Sequence, residues 1–156
     1  MSTKVITGKV RASFVHVFEP QSVNGYEHKY SCSLIIPKSD TRTIQAIQTA
    51  IEQAKQEGVS KFGGKVPVNL KTPLRDGDID RPDDEAYTDS YFVNSNSKEK
   101  PGVVDRKRVP ITDPLELYSG CYVRASINFY AFNTNGNRGV AAGLGNIQKW
   151  EDGEPL

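Results

Sequence analysis

Over residues 4–18, "KVITGKVRASFVHVF", Ile6, Gly8, Val10, Ala12 and Phe14 fall on one side of an extended chain, and Thr7, Lys9, Arg11 and Ser13 on the other. A two-residue period of this kind predicts a long, half-buried strand. The alternation blurs over residues 14–18, as at a bend or a stretch buried on both faces, and Gly8 marks a bulge or a close backbone approach. Asn24-Gly25 is a hairpin-turn signal. A second strand follows over residues 29–36, with Tyr30, Cys32, Leu34 and Ile36 sharing a face, and Pro37 closes it. The period then becomes helical: Ile44, Ile47, Ile51 and Ala54 form one stripe. The stripe predicts a core-packing helix over about residues 41–57, capped by Asp40 or Thr41 and stopped by Gly58 in the left-handed region.

Residues 58–119 are rich in Gly, Pro and Asp, with one short strand candidate at "YFVNSNS", residues 91–97. So long an irregular span usually means functional loops on a scaffold. Regularity returns at "CYVRASINFYAF", residues 121–132. Its odd positions are all apolar, whereas the even ones are Tyr122, Arg124, Ser126, Asn128, Tyr130 and Phe132. A turn and a last strand over residues 140–150 complete the chain, the latter with small residues at Ala141, Ala142, Gly143 and Gly145. Long curved strands with a single helix predict a mainly β fold, an OB-fold-like small β-barrel with one α-helix and long loops. Residues 1–150 read as one domain and residues 151–156 as a short acidic tail.

Composition narrows the chemistry. Neither cysteine, Cys32 or Cys121, has a ligand-spaced partner, and each lies in phase with apolar strand neighbours, as buried free thiols do. His16 and His28 have no Cys or His at ligand spacing, so neither a metal site nor a cofactor is expected. The chain shows no membrane-length apolar run and no signal peptide, and a cytoplasmic protein is the expectation. Nucleophile and phosphate-loop motifs are absent, and no catalytic residue is assigned.

The net charge of +1 conceals a partition. Residues 76–89 carry −6, residues 151–156 carry −3, and everything else carries +10. A basic body with acidic appendages suits a polyanion binder. The acids Asp76, Asp78, Asp80, Asp83, Asp84 and Glu85 raise the alternative of a magnesium-dependent nuclease. They sit on one proline-containing stretch and fail the calcium-loop pattern, which favours a solvated or competing loop.

Single-stranded nucleic acid is held by cations along the phosphates and rings stacked on the bases. Lys9, Arg11, Lys98, Lys100, Arg106, Lys107, Arg108 and Arg124 are the candidate cations, and Tyr91, Tyr122, Tyr130 and Phe132 the candidate rings. The same rings would serve equally well beneath the helix or a long loop, or against a protein partner, and pattern alone leaves these readings open.

The phrases "YFVNSNSKEKPGVVD", "PLRDGD" and "DPLELYSGCYVRASINFYAFNTNGNRGVAAGLGNIQKWEDGEPL" resemble a family of bacteriophage and prophage proteins. That family, once without a function, is understood as single-stranded-DNA-binding proteins with an OB-fold. The resemblance covers nearly the whole chain and is densest from Tyr91 onward. It implies a non-catalytic protein that coats single strands with little sequence preference during phage DNA replication or recombination, in the host cytoplasm. Single-stranded DNA is the implied partner, with duplex bound more weakly. Members of such a family tend to continue into a longer acidic tail that recruits replication proteins and competes with DNA. Here the acids after Trp150 are Glu151, Asp152 and Glu154.

Overall fold

A computed structural model describes residues 2–22, 28–68 and 70–156. In chain order the elements are β1 (Lys4–Ile6), β2 (Val10–Ser22), β3 (His28–Pro37), α1 (Thr41–Glu57), β4 (Leu74–Asp76), α2 (Gly77–Asp80), β5 (Ser90–Ser97), β6 (Val103–Val104), β7 (Tyr122–Thr134) and β8 (Asn137–Glu151). Single 3-10 turns lie at Val59–Phe62 and Glu85–Tyr87. The fold is mainly β and OB-like, as the strand pattern predicts, with one long helix and a second of a single turn. The Asn24-Gly25 turn falls outside the described residues.

Strands β7, β2, β3, β5 and β8 form a ring that closes through a β7–β8 ladder running from Tyr122↔Glu151 to Thr134↔Asn137. The ring is uneven. β2 meets β7 only at Val10↔Val123 and Arg11↔Tyr122, and β5 meets β8 at one parallel bridge, Asn96↔Gly143. β1 extends the sheet beyond β7, and β6 beyond β8. Inside, Val10, Ala12, Leu34, Ile36, Val93 and the odd positions of β7 pack against the stripe of α1. Ile44, Ile47, Ala50, Ile51 and Ala54 are all buried in that stripe. Cys32 and Cys121 are buried free thiols, and loss of solvation pushes Cys32 up to about 12.

Three local expectations change. The first strand is two strands, because the chain breaks at Thr7, whose backbone N–H reaches Ala125 O at 2.9 Å and whose hydroxyl oxygen accepts from Ala125 N at 3.0 Å. The break shifts the phase: Val5 is buried and Ile6 is 65% exposed. Phe14 then sits in a bulge with φ of 48° and is 51% exposed. Asp40 caps α1 as expected, accepting from Thr43 N at 3.2 Å. Gly58, however, has φ of −94° and is not left-handed. It is needed for space, since a Cβ there would lie 2.1 Å from the Ala131 Cβ.

The third change concerns the acidic stretch: most of its carboxylates are exposed, as expected of a solvated loop, but the chain that carries them is a built cover over the outer face of β3 and β5. Tyr87 is fully buried between Ile35 and Phe92, edge-on to Phe92 at 5.0 Å, and its hydroxyl donates to Ser33 Oγ at 3.0 Å. Asp76 caps α2 by accepting from Asp78 N, and Asp84 accepts from Ala86 N. Lys38 bridges Asp76 and Asp78 at 3.0 and 2.8 Å. The Lys38 ammonium and the Asp89 N–H hold the Asp78 carboxyl below its usual range. Asp80 pairs with Arg75. Asp76, Asp78, Asp80 and Asp84 thus neutralise or cap, which is a poor arrangement for gathering metal ions, and no group of metal-ligating side chains occurs among the described residues.

Candidate nucleic-acid interface

Alternation along β7 sends Ala131 inward to the end of α1 and sends Tyr130 and Phe132 outward. The outer face is completed by its neighbours. β1 places Lys4 opposite Asn128 and Ile6 opposite Ser126. β8 places Gln148 opposite Arg124, Gly143 opposite Asn128, Ala141 opposite Tyr130 and Gly139 opposite Phe132. The glycine at residue 139 is needed for space, since a Cβ there would lie 2.6 Å from Lys71 O. A Cβ on Gly139 would stand 3.1 Å from the Phe132 ring, and one on Gly143 would stand 3.6 Å from the Tyr130 ring. Both rings lie low over β8; Tyr130 is 42% exposed and Phe132 half-buried. Neither is roofed by the helix.

At the other end of the face, the guanidiniums of Arg106 and Arg124 stand 4.1 and 5.5 Å from the centre of the Trp150 ring. Arg124 is steadied by donating from Nε to Thr7 O at 3.2 Å. Arg106 belongs to a tight turn organised by Asp105, whose carboxylate accepts from Lys107 N at 2.8 Å and Val109 N at 3.0 Å. Arg108 completes the turn in the left-handed region, with φ of 66°. Three consecutive cations, Arg106, Lys107 and Arg108, therefore crown the rim, and none has an ion-pair partner among the described residues. Their sequence neighbour Asp105 turns its carboxylate to the backbone N–H groups of Lys107 and Val109 and not to their side chains.

Tyr122 lies where β7 meets β2, with Lys9 Nζ and the Arg11 guanidinium 5.2 and 5.9 Å from its ring centre. Residues 151–156 run along this end of the face. Glu151 pairs with Lys9, Arg11 donates to Glu154 O at 2.6 Å, and Leu156 N donates to Ser119 O at 2.9 Å. The Lys149 ammonium and the Tyr118 hydroxyl hold the Asp152 carboxyl below its usual range. A Cβ on Gly153 would come within 2.1 Å of Gly120 O, so this segment is seated closely and not as a free appendage.

Comparison with known proteins now decides the family. A family model described as Enterobacter phage Enc34, ssDNA-binding protein, matches residues 3–156. The chain belongs to this family. Its sequence is 34% identical over 162 residues to putative protein p50 of Acyrthosiphon pisum secondary endosymbiont phage 1, covering 97% of this chain and 85% of the relative. Its fold superposes with a TM-score of 0.88 on the single-stranded DNA-binding protein from bacteriophage Enc34 in complex with ssDNA, at 25% identity over 99% of this chain and 89% of that one. The single-stranded DNA binding protein gp2.5 of bacteriophage T7 shares the fold, at TM-score 0.67 and 16% identity, covering 97% and 87% of the two chains.

Within this Enc34-family chain, the expected site residues do not all converge. Arg124, Tyr130, Phe132 and the turn cations Arg106, Lys107 and Arg108 share the outer face or its rim. Tyr122, Lys9 and Arg11 lie at its end, beneath residues 151–156. Lys98 and Lys100 are exposed on the segment leading into β6. Tyr91 is separate: it pairs with Ile36 and Asp76, packs on the main core, and has Lys38 Nζ 5.3 Å from its ring centre. An acidic neighbourhood makes it a poor partner for phosphate. Sequence reasoning missed Trp150, although it stands two residues from Gln148, the partner of Arg124, and so shares that face by period.

Proposed function

We propose that this chain binds single-stranded DNA along the outer face of β1, β7 and β8, protecting and organising exposed strands during phage DNA replication or recombination in the host cytoplasm. Tyr130, Phe132 and Trp150 stack on bases, while Lys4, Arg106, Lys107, Arg108 and Arg124 neutralise phosphates, with Lys98 and Lys100 flanking. Lys9, Arg11 and Tyr122 extend the track once residues 151–156 give way. The observation that carries this reading is the ring-and-cation face, whose rim cations form no ion pair among the described residues, on a fold shared with a protein solved with ssDNA. Duplex DNA meets the same cations but offers no unstacked bases, so it binds more weakly. Replication proteins are reached through the acidic residues 151–156 when these leave the body.

Fluorescence anisotropy of a labelled oligothymidylate, read at two salt concentrations, tests the proposal. Affinity should fall with salt by about 0.7 in log-log slope for each phosphate contact. Affinity indifferent to salt, or equal for single strands and duplex, would overturn it.

A further inference from the structure

We infer that the groove between β1, β7, β8 and β6 is a pocket for one unstacked nucleobase, so that the protein grips its strand partly through a base and not by phosphates and open stacking alone. This inference rests on the single-strand binding proposed above.

The groove encloses about 570 Å³, within the range of about 300–1,000 Å³ typical of small-molecule sites. Ile6 and Val104 line it, together with the stretch of β7 and β8 at Ala125 and Ile147, whose own side chains are buried in the core. Ile6 is 65% exposed, an isolated aliphatic side chain at the mouth of an apolar slot flanked by Lys4, Arg108 and Arg124. A flat apolar body with an anionic attachment fits that surface, and a nucleotide has both parts.

The polar groups of the groove are fixed by a break in the β7–β8 ladder. The register passes from Ala125↔Ile147 to Ile127↔Leu144, which leaves Gly145 and Asn146 opposite Ser126. A Cβ on Gly145 would meet Ser126 Oγ at 2.3 Å, and this space lets Asn146 N donate to that oxygen at 2.8 Å. The Asn146 side-chain oxygen accepts from Gly102 N at 3.2 Å, which leaves its Nδ2 as a donor. Gln148 Nε2 donates to Asp105 O and Arg106 O, both at 3.3 Å, which leaves its Oε1 as an acceptor. Neither remaining atom has a partner among the described residues. Two residues that line a slot of nucleotide size thus keep one donor and one acceptor in reserve, which is what reading a base edge requires.

Deoxynucleoside 5′-monophosphates and deoxyribose 5-phosphate, compared by saturation-transfer NMR on the full chain, test the assignment. The nucleotides should bind with millimolar affinity and the baseless sugar phosphate at least tenfold more weakly. Ile6→Ala, on an exposed side chain whose loss leaves the fold intact, and Gln148→Ala should each weaken nucleotide binding at least threefold. In strand binding, both variants should narrow the spread of affinities among oligo-dA, oligo-dC and oligo-dT. Equal binding of the sugar phosphate would show a phosphate site and overturn the pocket, as would unchanged nucleotide affinity in folded Ile6→Ala. If wild type fails to bind any single strand, the functional proposal itself falls; if strands bind and nucleotides do not, only the pocket does.

Discussion

Two regions of this ring use the same materials to opposite ends. On the outer face of β3 and β5, the Arg81 guanidinium lies 5.0, 5.2 and 5.7 Å from the ring centres of Phe14, Tyr87 and Phe92. On the outer face of β7 and β8, Arg106 and Arg124 attend Trp150 in the same manner. In the first region carboxylates surround the cations, and Tyr87 is sealed beneath a cover of chain. In the second the turn cations form no ion pair among the described residues, and Tyr130 stands open to solvent. A cation beside a ring is thus no signature of nucleic-acid binding on its own. What separates the two is where the acids went and the fate of one tyrosine each, Tyr87 being sealed and Tyr130 open.

The contrast breaks most visibly at its tyrosines. Tyr87→Ala should cost about 3–5 kcal/mol of folding stability, as large aromatic truncations do, measured by urea denaturation. Tyr130→Ala should leave stability nearly unchanged and weaken ssDNA binding by about 1–3 kcal/mol, the worth of one stacked base. Reversed outcomes would exchange the roles of the two faces.

The cations give a smaller effect. Replacing Arg106 and Arg108 together by alanine should flatten the salt dependence of binding by up to about 0.7 in slope per lost contact. Arg75→Ala, on the acidic side, should leave the slope unaltered. A change of slope in the second variant would carry the strand across β4 and β5.

The smallest effect is confined to acid. Lys38 and the Asp89 N–H stabilise ionised Asp78, whose carboxyl titrates lower in the folded chain than in the unfolded one. This contribution is complete above the unfolded carboxylate value, near 3.8, and is lost as pH falls through the lower folded value. Asp78→Asn should therefore reduce stability at pH 7 and remove part of its decline below pH 4, in thermal melts across that range. DNA affinity at neutral pH should not follow.

What could be read from the chain was whatever short-range period controls. The helix stripe and the odd positions of β7 are dictated by neighbours within a turn or two, and they are buried as read. The break at Thr7 is enforced by its hydroxyl contact with Ala125, 118 residues away, and no local pattern announces it. The seating of residues 151–156 has the same origin, since Arg11 holds Glu154 O across 143 residues. Tyr91 looked like a stacking ring because composition does not reveal that Asp76 pairs beside it. The acidic stretch read as a solvated loop because its charge count hid one apolar anchor, Tyr87.

Trp150, the single tryptophan of the chain, has a consequence of another kind. Its intrinsic emission originates at one place, beside two guanidiniums on the proposed binding face. A strand that lifts Arg106 from the ring, or stacks in its stead, alters that emission with no dye attached. Far-off rearrangements of the acidic cover leave that emission unchanged. The molecule thus carries its own optical gauge of occupancy, readable with unlabelled DNA of any length.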